Sequence, residues 1–136
     1  MNKYTMVKSD FKTTADGTKL YRIKALRNFS DVEVGTLGGY IEKEDNLSHE
    51  GNAWVYEDAR VYGNAQVSGD AWVFGNAWVY EDALVAGNAQ VFGDARVYED
   101  AQVFGNAQVS GDVPKKIIKK SVEPYGIVAF CEKYYK

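Results

Sequence analysis

Cysteine is almost missing from this 136-residue chain: Cys131 stands alone, so no internal disulfide can form. That usage fits a reducing compartment, and a cytoplasmic location is expected. Histidine is equally scarce, with His49 the single residue of its kind. One histidine cannot assemble the multi-histidine zinc centres that hydrolytic metalloenzymes use, so no metal and no cofactor are expected. Proline occurs twice, at Pro114 and Pro124. No apolar run approaches the roughly 20 residues that a membrane-spanning helix needs, and MNKYTMVKSD has no apolar stretch behind its charges to make it a secretory signal. P-loop and dinucleotide-binding fingerprints are absent as well. The charge balance is −3 and uneven. Residues 51–112 hold nine acids against Arg60 and Arg96, whereas residues 113–136 hold six lysines against two glutamates. Long nucleic acids call for a continuous basic surface, which this layout does not offer. A small anion held by a few cations is compatible with it.

What the chain does have is repetition. From Gly51 it reads GNAWVY, EDARVY, GNAQVS, GDAWVF, GNAWVY, EDALVA, GNAQVF, GDARVY, EDAQVF, GNAQVS, ten hexads without an insertion. Alanine fills the third position each time and valine the fifth. Within A-x-V the two-residue period points Ala and Val to one side of a short strand and the residue between them to the other. Gly or Glu followed by Asn or Asp supplies a corner. A strand this short buries nothing alone, so the units must stack, each backbone pairing with the coil above and below at about 4.8 Å.

Written from the valine, V-x-[GE]-[ND]-A-x resembles the hexapeptide repeat of left-handed parallel β-helix proteins. The resemblance implies an all-β, single-stranded, left-handed triangular prism with three hexads per coil and about four coils. It also implies a homo-oligomer, commonly a homotrimer. Ile41 and Leu47 keep the six-residue step before Ala53 and extend the pattern upstream. Three segments follow: an N-terminal hairpin cap over 1–38, the helix over 39–113, and a C-terminal capping or oligomerisation tail over 114–136. In the first, Asp16-Gly17 marks a hairpin turn and Gly38-Gly39 a second turn into the helix. In the tail, Ile117-Ile118 and Ile127 to Phe130 read as two short strands, and the KKIIKK run as a solvated basic edge.

Eighteen residues per coil sorts the outward side chains into three faces. The first carries Trp54 and Trp72, with Tyr56, Phe74 and Phe92 beyond the valines. The second carries Arg60, Trp78 and Arg96, with Tyr62, Tyr80 and Tyr98. The third carries Gln66, Leu84 and Gln102. So much outward aromatic surface marks an interaction site. Trp54, Trp72, Tyr56, Phe74 and Phe92 are expected at the oligomer interface. On the second face, Arg60 and Arg96 are expected to clasp phosphate while Trp78, Tyr62, Tyr80 and Tyr98 stack on a base, in a groove between protomers.

The lead K-L-Y-R-I-K-A-L and the entry N-L-S-H-E-G-N are similar to those of small phage- and prophage-encoded hexapeptide-repeat proteins. This similarity implies a role in phage biology or in countering host defence. The expected function is non-catalytic: sequestration of a small anionic, nucleotide-like defence signal by an oligomer. A structural or protein-interaction module, in a virion or against a host protein, is the alternative. An acyltransferase is the third reading. Enzymes of that kind with this repeat use a histidine base and a loop interrupting the coils, whereas the hexads here contain neither. His49, beside Glu50, reads as a structural hydrogen-bonding residue, and the repeating Asp/Glu corners as a solvated edge. Ice binding wants ranks of threonine, and the hexads contain none.

Overall fold

A computed structural model describes residues 2–110 and the backbone of 112–114 and 117–118. The expectations for Cys131, the KKIIKK lysines and the strand at Ile127 to Phe130 lie outside the described residues. Every A-x-V becomes a short strand: Trp54–Val55 (β4), Arg60–Val61 (β5), Gln66–Val67 (β6), Trp72–Val73 (β7), Trp78–Val79 (β8), Leu84–Val85 (β9), Gln90–Val91 (β10), Arg96–Tyr98 (β11), Gln102–Val103 (β12) and Gln108–Val109 (β13). Backbone strands at Asp112–Pro114 (β14) and Ile117–Ile118 (β15) continue the series.

The pairing partners lie eighteen residues apart. Val55 pairs in parallel with Val73, Val73 with Val91, and Val91 with Val109. The second face repeats this with Val61, Val79 and Val97, and the third with Val67, Val85 and Val103. Coil-to-coil bonds such as Tyr56 N–H to the Val73 carbonyl, 2.8 Å, satisfy the backbone. The alanines and valines of all ten hexads are at most 1% exposed, and they form one continuous core. The protein is a parallel β-solenoid.

Each hexad turns its corner with a left-handed residue in position one. Gly51, Gly63, Gly69, Gly75, Gly87, Gly93 and Gly105 have φ of 65 to 71°, and Glu57, Glu81 and Glu99 adopt 55 to 57° at the equivalent place. A side chain in that region is strained. Two of the glutamates return something for it: Glu57 Oε1 accepts from Gly75 N–H at 3.0 Å, and Glu81 Oε1 from Glu99 N–H at 2.9 Å. These carboxylates therefore tie one coil to the next, and the solvated-edge expectation gives way at both.

Upstream, the register departs from the expected six-residue step. Ile41 pairs with Val61, and Leu47 bridges to Val67, so both sit in the valine columns rather than beneath the alanines. The extra two residues fall between Leu47 and Val55, in the segment holding His49 and Glu50. Gly38 and Gly39 are also not a turn; they lie inside strand Leu37–Ile41 (β3). A Cβ on Gly38 would come within 2.8 Å of the Trp54 ring, and one on Gly39 within 2.5 Å of the Ala59 carbonyl. Close approach, not turning, requires these glycines.

The cap is a hairpin of Tyr4–Thr13 (β1) and Lys19–Ala25 (β2), antiparallel, turning at Gly17 with φ +92°. It adds to the edge of the second face, giving the order β1-β2-β3-β5-β8-β11-β14. Lys3 and Tyr4 lock it down. Lys3 is fully buried, and its Nζ donates to the Ala53 carbonyl at 2.6 Å. Burial, with Arg27 nearby, lowers its pKa to about 8. The Tyr4 hydroxyl donates to the Leu47 carbonyl at 2.6 Å, and its ring stacks on His49 at 4.1 Å.

Candidate binding clefts on the aromatic faces

The second face is an alternating column. Running along the ladder, Arg22 pairs with Tyr40, Tyr40 with Arg60, Arg60 with Trp78, and Trp78 with Arg96. Each cation lies over the neighbouring ring: Arg22 is 4.5 Å from the Tyr40 centroid, Arg60 5.1 Å and Arg96 4.5 Å from that of Trp78. Arg22 also donates to the Tyr40 hydroxyl and, at 2.7 Å, to the Gly38 carbonyl. Beside this column runs a second one of tyrosines. Tyr62 stacks on Tyr80 and Tyr80 on Tyr98, both at 5.2 Å and within 9° of parallel.

This geometry corrects one expectation. Side chains at equivalent places in successive coils are held about 4.8 Å apart by the backbone ladder, close to the spacing at which rings stack. The faces of Trp78 and Tyr80 are therefore occupied by their own neighbours, and no base can intercalate there. What these columns turn outward is ring edges, phenol hydroxyls and guanidinium edges. Among the described residues, Arg60 and Arg96 have ring contacts but no carboxylate partner, and the buried Arg60 Nε has no hydrogen-bond acceptor.

The hairpin tip bends over this face and closes a cleft of about 450 Å³. Thr13, Thr14, Ala15 and Asp16 form one wall, and Arg60, Tyr62, Trp78, Tyr80 and Glu81 form the other. Four of the six expected ligand residues are brought together here; Arg96 and Tyr98 lie further along the same columns. The cleft belongs to a single chain, so no second protomer is needed to form it. The hairpin tip and Glu81 were missed, because nothing in the hairpin sequence says which face it will overhang. Thr14 and Thr18 donate to the Asp16 carboxylate and hold its pKa below the ordinary value, so it is anionic. Burial pushes the Tyr62 phenol up, with Tyr80 adding to the effect and Arg60 and Arg96 opposing it.

The first face differs. Trp54, expected at an oligomer interface, is fully buried. Phe29 meets it edge-on at 5.1 Å and Tyr4 at 6.3 Å, so the cap covers it. Tyr56, Trp72, Phe74 and Phe92 remain partly exposed. A smaller cleft of about 240 Å³ lies among Asp31, Tyr56, Glu57, Trp72 and Phe74.

His49 is fully engaged at the cap. Its Nδ1 accepts from the Lys3 backbone N–H at 3.1 Å, which leaves the proton on Nε2 to face Glu44 Oε1 at 2.8 Å. Among the described residues no group of three His, Cys, Asp or Glu side chains is placed to hold a metal, and no helix is long and apolar enough to cross a membrane.

Stacked eighteen-residue coils with an Ala/Val interior and a capped first turn define a β-solenoid repeat protein. Residues 59–73, 65–81 and 89–105 match the YdcK Beta solenoid repeat family. The chain is also 40% identical over 75 residues to a protein of Escherichia coli (strain K12) named uncharacterized acetyltransferase YdcK. That similarity covers 50% of this chain, which spans only 23% of the relative's length.

Proposed function

We propose that this β-solenoid is a non-catalytic binding protein that holds a small anionic, nucleotide-like molecule in the cleft between the hairpin tip and the second face. The observation that carries the reading is Arg60, which lines a ready cleft and, like Arg96 further along the same column, has no acid partner among the described residues. Their exposed edges suit a phosphate, and guanidinium forks bind phosphate bidentately. The carboxylates of Asp16 and Glu81 on the rim suit the amino or hydroxyl donors of a base or sugar. The ligand lies along ring edges and hydroxyls rather than between rings. We take the ligand to be a host-defence signal, as the resemblance of the lead segment to phage and prophage proteins implies.

Calorimetry against linear and cyclic nucleotides tests this. Binding at one site per cleft is expected, weakened at least tenfold in Arg60→Gln. Silence across the panel would overturn it.

Acyl transfer is the second reading, favoured by the name of the Escherichia coli relative. The full use of both His49 nitrogens within the cap counts against a base at that position. Release of free thiol from acetyl-coenzyme A, lost in His49→Gln, would establish the acyltransferase instead.

A further inference from the structure

The first-face cleft is chemically unlike the one just described. Three aromatic rings wall it at steep angles: Tyr56 meets Trp72 at 67° and Phe74 at 83°, with centroids 5.7 and 6.3 Å apart. Two carboxylates, Asp31 and Glu57, complete the lining, and no basic residue takes part. The Tyr56 hydroxyl donates to Asp31 Oδ1 at 3.2 Å, and Gly75 N–H donates to Glu57 Oε1 at 3.0 Å. These bonds fix the carboxylates in place and leave each a second oxygen. Burial and the charge of Asp31 raise the Tyr56 phenol, so it remains neutral.

The contrast with the rest of the molecule is informative. Phe11, Tyr21, Phe29, Tyr40 and Trp78 each have a lysine or arginine of this chain over the ring. Tyr56, Trp72 and Phe74 have none among the described residues. On the second face arginine alternates with tryptophan, whereas on the first face glutamine follows Trp72 in the ladder. An electron-rich box with two fixed negative charges and no internal cation is complementary to a cation from outside.

We propose that the cleft formed by Asp31, Tyr56, Glu57, Trp72 and Phe74 binds a quaternary ammonium group. Full methylation suits the three ring walls, which offer apolar surface to methyl groups, while the carboxylates of Asp31 and Glu57 supply charge. The ring surfaces that remain open to the cleft attract the spread charge, and the two carboxylates balance it at the rim. This assignment is independent of the anion cleft, and it gives Tyr56, Trp72 and Phe74 a role different from the expected oligomer seam.

The test is calorimetric titration of the intact protein with choline and with 3,3-dimethylbutanol, its neutral carbon isostere. Choline is expected to bind at least tenfold more tightly than the isostere. Trp72→Leu, which keeps apolar bulk and removes the indole, is expected to weaken choline at least tenfold; if it fails to fold, Asp31→Asn provides the check, with a severalfold loss. A trimethyl-lysine peptide, compared with choline and with the unmethylated peptide, distinguishes a protein side chain from a free metabolite as the source of the group. Equal binding of choline and isostere reduces the site to an apolar hollow and overturns the proposal. So does silence toward choline and the trimethyl-lysine peptide, including silence because a second copy covers the face in solution.

Discussion

Replacing Glu81 by glycine and, separately, by alanine should give opposite rankings from those seen in a helix. Glu81 sits at a corner with φ 57°, and its carboxylate accepts the Glu99 N–H of the next coil at 2.9 Å. Both variants lose that charge-assisted bond, which on an exposed corner is worth about 1 kcal/mol. Alanine retains the Cβ in the left-handed region, at about 1–2 kcal/mol of strain. Glycine escapes that strain but gives up about 0.5–1 kcal/mol to the greater freedom of the unfolded chain. Glu81→Gly should thus be close to wild-type, and Glu81→Ala less stable than Glu81→Gly by about 1 kcal/mol. Urea unfolding followed by tryptophan fluorescence resolves that difference. If Glu81→Ala equals or exceeds Glu81→Gly, the corner is unstrained and the account of the Gly/Glu alternation is wrong.

Trp54→Ala should be among the most damaging single changes, about 3–5 kcal/mol, because it empties the space under the cap; denaturant midpoints will show it, and a loss below about 1 kcal/mol would mean the cap packs elsewhere. The depressed pKa of Lys3 makes a signed prediction. Its folded value of about 8 lies below the ordinary 10.5, so the unfolded chain binds more protons between the two. Stability should rise as pH climbs from 8, until the raised phenols of Tyr4 and Tyr56 act oppositely above about 10. Melting temperatures of Lys3→Met across pH 7–10, the values at which the side chain titrates, should lose that rise. Reversing the second-face charge in the Arg60→Glu/Arg96→Glu double variant should abolish nucleotide binding while choline affinity at the first face changes less than twofold, both read by calorimetry.

The columns of the solenoid were legible because the spacing is strict: with Ala and Val at fixed places in ten hexads, one register buries them all. The sorting of Arg60, Trp78 and Arg96 onto a single face followed from the same spacing. Other features depend on contacts that no local pattern announces. Trp54 has the same A-x-V surroundings as Trp72 and Trp78, yet it is buried because the cap lands on the first coil. Gly38-Gly39 has the composition of a turn, and only the approach of Trp54 and Ala59 explains it as strand. The two additional residues around His49 follow from the docking of Lys3 and Tyr4, which the hexad count cannot register. Stacking along the columns is implied by the same eighteen-residue spacing, whereas its consequence for a ligand is not: a ring stacked on its copies one coil away has no face left for a base.

Native mass spectrometry of protein recovered from nucleotide-producing cells, followed by denaturation and analysis of whatever is released, addresses the functional claim most directly. The account predicts a stoichiometric anionic small molecule that leaves the unfolded chain chemically intact, and its absence from the Arg60→Glu/Arg96→Glu variant. Recovery of a converted product, or of ligand-free protein from cells rich in candidate nucleotides, would contradict it.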